Sequence, residues 1–86
     1  MKYVRGLVVR SMAGHDQGGF FTVLSADDKF AVICDGKRRS LEKPKRKKKI
    51  HLAVTTTVLP DSSMQTNREI RSALRRFVSE QADLHN

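Results

Sequence analysis

Three short apolar runs, each closed by residues that turn the chain, constrain this fold more than any other feature. The first, Gly6-Leu7-Val8-Val9-Arg10-Ser11, is rich in β-branched residues and precedes the segment AGHDQGG at 13–19. With Gly14, Gly18 and Gly19 so close together, that segment forms a tight, strongly turned loop. The second run, Phe20-Phe21-Thr22-Val23-Leu24-Ser25, ends at Ala26-Asp27-Asp28-Lys29. The third, Phe30-Ala31-Val32-Ile33-Cys34, ends at Asp35-Gly36, a dipeptide suited to a type I′ hairpin turn, where both central residues need positive φ. A fourth strand is predicted over residues 38–42, interrupted by Pro44, which has no N–H to donate to a ladder. A fifth stretch, Ile50-His51-Leu52-Ala53-Val54, leads through Thr55, Thr56 and Thr57 to Leu59 and stops at Pro60. Short strands at this spacing describe a small antiparallel barrel or sandwich.

After Pro60-Asp61-Ser62-Ser63 the period changes. Thr66 and Glu69 have the spacing of a capping box, in which each side chain satisfies a free backbone donor at a helix start. Ile70, Ala73, Leu74, Phe77 and Val78 then recur at helical spacing, which predicts an amphipathic helix over 66–80. Full burial of its four large apolar side chains contributes roughly 6–12 kcal/mol before ordering costs, enough to dock the helix on the sheet. Arg68, Arg71 and Arg75 form a charged stripe beside that face, which is either its solvated side or an RNA contact. The tail over 81–86 is expected to fray.

The chain has 86 residues, which allows one domain with a small core. The expected division is 1–59 for the β unit and 60–86 for the linker and helix. Hydrophobic content is only 38%, but the apolar residues are clustered, which argues against disorder. Cys34 stands alone, so there is no internal disulfide, and a reducing cytoplasmic location is expected. The opening MKYVRGLVVRSMAG does not read as a signal peptide, since its longest uncharged apolar run is Leu7-Val8-Val9. Nothing approaches the roughly 18 apolar residues of a membrane span, so no membrane partner is expected.

Charge narrows the function. Residues 37–49, KRRSLEKPKRKKK, hold nine of the seventeen basic residues and one acid, Glu42. That segment carries a net +8, equal to the charge of the whole chain, so the rest is neutral. Lys37, Arg38, Arg39, Lys43, Lys45, Arg46, Lys47, Lys48 and Lys49 thus form one local patch whose field favours a dense polyanion. The expected partner is nucleic acid.

Residues 6–24, GLVVRSMAGHDQGGFFTVL, resemble the KOW motif: an apolar strand, a glycine-anchored loop and a second apolar strand. Over residues 4 to about 54 the chain is similar to the archaeal and eukaryotic fourteen-e large-subunit ribosomal proteins and their small bacterial relatives. The run from Val8 to Gly18, the strand after it, and Asp35-Gly36 followed by basic residues carry the likeness. The resemblance implies a mainly β, SH3-like antiparallel barrel of KOW type, here with one C-terminal α-helix. It also implies ribosomal RNA as partner, and a loop of Gly14, His15, Asp16, Gln17 and Gly18 that turns sharply and approaches RNA. Many KOW loops carry a basic residue where this chain has Gln17, which shifts the expected affinity to the 37–49 segment.

Such a patch displaces counterions from phosphates, giving affinity without sequence information. A-form RNA suits it, because recognition there is by shape and backbone. Loop residues Gly14, His15, Gln17, Gly18 and Gly19 offer backbone N–H groups for a secondary contact, or serve only to turn the chain. Alternation requires either Phe20 or Phe21 to face outward, for stacking on a base or for packing. Catalysis has little support: His15-Asp16 are adjacent neighbours, Asp27-Asp28 read as turn residues, and Cys34 reads as a buried small hydrophobe. His15, His51 and His85 lack metal-ligand spacing, and neither a P-loop nor a dinucleotide fingerprint occurs, so no cofactor, metal or small-molecule substrate is expected. The expected function is non-catalytic RNA binding on the ribosome. The alternatives are a transcription-associated KOW module binding polymerase or nascent RNA, and an adaptor whose protein partner docks on Ile70, Leu74, Phe77 and Val78.

Overall fold

The computed structural model describes residues 2–84. Five strands, β1 (Leu7–Ser11), β2 (Phe20–Ala26), β3 (Phe30–Cys34), β4 (Lys45–Lys48) and β5 (Leu52–Val58), precede one helix, α1 (Asn67–Leu84). They form a single antiparallel sheet in the order β4-β3-β2-β1-β5. This is the mainly β architecture with one C-terminal helix that the sequence predicts. It is consistent with an SH3-like barrel, although the sheet is not closed. Strands β4 and β5 are its two edges, and one 3-10 turn, Lys49–His51, carries the chain between them. That turn is tied down twice: Lys49 N–H donates to the Lys29 carbonyl at 2.8 Å, and Met12 N–H donates to the His51 carbonyl at 2.8 Å.

The sheet buries both faces, which explains why Leu7, Val8 and Val9 are all fully covered. Because side chains alternate along a strand, Leu7, Val9, Phe21 and Val23 meet Ala31, Ile33 and Leu52 on one face. Val8 and Cys34 meet Met64, Ile70, Leu74 and Phe77 on the other, with Phe20, Leu24, Leu41 and Leu59 packed at the margin. Helix α1 is therefore the lid of a second core. Three of the four large apolar residues on its predicted face are buried there, leaving Val78 exposed. Phe21 lies inside, whereas Phe20 is half-buried, edge-on to Phe77 at 5.3 Å at the margin of the second core.

Thr66 caps α1: its hydroxyl oxygen accepts the Glu69 N–H at 3.1 Å. The Glu69 carboxylate accepts from the Thr66 hydroxyl at 3.2 Å, where a capping box has it reach the backbone N–H. The helix continues to Leu84, past the expected end at 80, so residues 81–84 are helical rather than frayed; residues 85 and 86, with His85, lie outside the described residues.

Two further expectations are corrected. Residues 38–42 are not a strand, and β4 begins just after Pro44 instead. Asp35-Gly36 is not a type I′ turn, because only Gly36 has positive φ, +76°. Strand β3 pairs with β4 across a long loop, residues 35–44, with Ile33 opposite Lys45 and Phe30 opposite Lys48.

Candidate nucleic-acid interface

Asp35 explains why the basic segment begins as a turn. Its carboxylate accepts the N–H groups of Lys37 at 3.0 Å and Arg39 at 2.9 Å, while its own N–H donates to the Arg39 carbonyl at 2.9 Å. An aspartate bonded to its own downstream backbone competes with strand formation, and here it wins. The far half of the loop is held by the helix start. Asn67 Oδ1 accepts the Leu41 N–H at 2.8 Å, and Asn67 Nδ2 donates to the Glu42 carboxylate at 3.0 Å. The Asn67 amide is the first cause that holds the Glu42 carboxyl below the usual glutamate range. Lys37, Arg38 and Lys43 project from this braced loop into solvent.

On β4 the lysines divide by face. Arg46 and Lys48 lie on the outer face, opposite Val32 and Phe30. The Arg46 guanidinium sits 3.6 Å from the centre of the Phe30 ring and 3.5 Å from the Asp27 carboxylate. Lys45 and Lys47 lie opposite Ile33 and Ala31, whose side chains belong to the first core. Lys47 is only 8% exposed, and its ammonium donates to the Ala13 carbonyl at 2.6 Å. Its aliphatic stem is packed and its charge serves the glycine loop, which removes it from the exposed patch. Lys49 is half-buried with its ammonium 4.7 Å from the Tyr3 ring centre.

The loop over 13–19 closes on itself. Gly14 turns the chain at φ +78°, Gln17 N–H donates to the Gly14 carbonyl, Gly18 N–H to Ser11, and Gly19 N–H to Asp16. Those three N–H groups are therefore spent on turning the chain, the second of the two roles the sequence leaves open for them. Gly14, His15, Gln17 and Gly18 are exposed, whereas Asp16 is 5% exposed and pairs with Arg39 Nη2 at 3.1 Å. The pairing brings the two predicted site segments together.

Of the nine basic residues in 37–49, only Arg39 and Arg46 form an ion pair with a carboxylate among the described residues. The remaining charge has no carboxylate partner among the described residues, and Lys37, Arg38, Lys43 and Lys48 expose it along one edge of the sheet, with the paired Arg46 beside them. The helix adds to this edge. A cleft of about 470 Å³ joins Gly18, Gly19 and Lys37 to Arg71 and Arg75, and Arg71 Nη1 donates to the Gly36 carbonyl at 2.7 Å. Arg71 and Arg75, four apart on the arginine stripe, thus reach the basic loop, while Arg68 faces a different depression beside Ser62 and Ser63.

Asp27 accepts the N–H groups of Phe30 at 2.8 Å and Lys29 at 3.0 Å as a turn residue, and these two bonds hold its carboxyl below the usual aspartate value. Cys34 is buried, and loss of hydration, helped by nearby Asp35, pushes its thiol up to about 11. Among the described residues no three His, Cys, Asp or Glu side chains gather as a metal site, and no helix is long and apolar enough to cross a membrane. No protein-family model matches the chain, and no curated protein matches it.

Proposed function

We propose that this protein binds RNA without catalysis, as a cytoplasmic, ribosome-associated protein that grips the backbone of large-subunit ribosomal RNA through one basic edge. The observation that carries the reading is the uncompensated charge of Lys37, Arg38, Lys43 and Lys48 on a loop and strand braced by Asp35, Asn67 and the sheet. Ordered cations lose less entropy on meeting phosphates than cations on a free tail. Arg38 adds a planar fork suited to two phosphate oxygens, and the lysines act as point charges. Arg71 and Arg75 extend the same positive surface across the glycine loop. The KOW resemblance of residues 6–24 supports RNA over other polyanions.

Sedimentation of the tagged protein in lysate through sucrose gradients tests this. Comigration with the large subunit at low salt, with release as salt rises, is the expected result. Protein that stays at the top of the gradient at low salt overturns the ribosomal assignment, and copurification with polymerase then moves the module to transcription.

A further inference from the structure

Ile50 is the most exposed large hydrophobic side chain among the described residues, at 83%, and it directly follows three lysines. It stands on the 3-10 turn between β4 and β5, where it forms one wall of a groove of about 530 Å³. The β2–β3 turn contributes Asp28, Lys29 and Phe30 to a second wall, and Lys48 and Lys49 complete the lining. The volume falls in the range of small-ligand sites.

Both walls are pinned. Lys49 N–H donates to the Lys29 carbonyl, so the 3-10 turn is bonded directly to the β2–β3 turn. The Asp27 carboxylate accepts the Lys29 and Phe30 N–H groups and fixes the other side. The Arg46 guanidinium packs 3.6 Å from the centre of the Phe30 ring and steadies it. The groove is therefore built before any ligand arrives. It presents aliphatic and aromatic surface between three lysines and a single carboxylate.

An occupant must be apolar on one side and anionic on the other. We propose that this groove receives one unpaired nucleobase of RNA, held between Ile50 and Phe30, with Lys29, Lys48 and Lys49 on its flanking phosphates. The inference rests on the RNA-binding reading above and adds to it. The basic edge supplies affinity for any A-form backbone, and the groove supplies preference for a site where a base is free to leave its stack. Paired bases are closed to it, because their faces are covered by their neighbours.

The test compares two RNA hairpins in the full chain: a perfect duplex stem, and the same stem with one bulged 2-aminopurine. The bulged hairpin should bind about tenfold more tightly, in line with stacking contributions of single bases. Its fluorescence should change on binding as the base moves into the groove. Ile50→Ser, a change at an exposed position that leaves the core intact, should bring the two affinities to within about twofold of each other and abolish the fluorescence change. Equal binding of both hairpins by the unaltered protein, or an Ile50→Ser variant that keeps the full preference, overturns the base site while the backbone reading stands. Binding of neither hairpin at low salt overturns both. Retention of an acidic peptide that the bulged hairpin fails to displace reassigns the groove to a protein partner.

Discussion

Arg39 crosses from the β3–β4 loop to Asp16 in the glycine loop, twenty-three residues earlier, and the two form a 3.1 Å ion pair. Asp16 is almost wholly buried, while the Arg39 side chain is 32% exposed. The Arg39 Nε is also buried without a hydrogen-bond partner among the described residues, so the carboxylate is the main compensation for that guanidinium. One contact thereby holds together the two segments on which RNA binding is proposed to depend.

Asp16→Ala should lower stability by about 1–3 kcal/mol, because it strands a partly buried charge; the cost is less than for a fully buried pair, since water reaches Arg39. A urea titration reads this as a lower midpoint at unchanged slope. Adding Arg39→Met should recover part of the loss, as coupled residues do. An unchanged midpoint for Asp16→Ala would sink the idea that the pair braces the two loops.

Lys47 and Lys48 are neighbours with opposite expected roles. Lys48→Gln should leave stability within about 0.5 kcal/mol of the parent. On RNA it should flatten the slope of log affinity against log salt by about 0.7–0.9, from a starting value of roughly −3.5 to −4.5 for about five phosphate contacts. Lys47→Ala should cost about 1–3 kcal/mol of stability through its stem and its bond to Ala13, with the slope kept. Equal effects of the two changes on the slope would return Lys47 to the RNA-facing set.

The Asp27 carboxyl is held below the ordinary aspartate value, first by its bonds from Phe30 and Lys29. A carboxylate whose folded pKa is depressed contributes stability above its unfolded pKa and loses it as pH falls through the folded pKa. Asp27→Asn keeps a carbonyl acceptor for both N–H groups and does not titrate. The stability difference between the two proteins should therefore be constant from about pH 5 to 7 and should shrink below about pH 4. Parallel stability curves down to pH 2 would contradict it.

Gly36 and Gly18 both have positive φ, yet their substitution should differ. A Cβ on Gly36 would meet the Asn67 carbonyl at the start of α1, whereas one on Gly18 meets nothing within 4 Å. Gly36→Ala should cost about 2–4 kcal/mol, strain plus overpacking. Gly18→Ala should cost only the left-handed strain, about 1–2 kcal/mol. Thermal melts of the two variants decide it, and equal melting points would refute the close approach of loop and helix.

Features that depend on neighbours in sequence were legible without a structure. The spacing of Thr66 and Glu69 marks the helix start, Asp27 marks a turn, and the apolar runs over 7–11 and 30–34, closed by turn residues, mark strands. Where two local signals competed, the reading failed. Over 38–42, strand spacing was outweighed by the Asp35 carboxylate bonding back to its own turn, which no periodicity reports. Beyond residue 80 fraying was expected, but the helix runs on to Leu84.

The amino-acid order by itself determined where the charge is dense, that the apolar runs are extended, and where the helix begins, because charge, turn residues and capping act within a few residues. Tertiary structure decided which cations remain free. Lys47 and Lys48 are chemically identical and adjacent, and nothing local tells them apart. Pairing of β4 with β3 sends one under the glycine loop and the other to solvent, because a strand turns successive side chains to opposite faces. The union of Arg39 with Asp16 and the nearness of Arg71 and Arg75 to Lys37 follow from long-range packing in the same way. Burial and contact across the fold are three-dimensional quantities, and they sort nine similar charges into those that brace the fold and those left exposed.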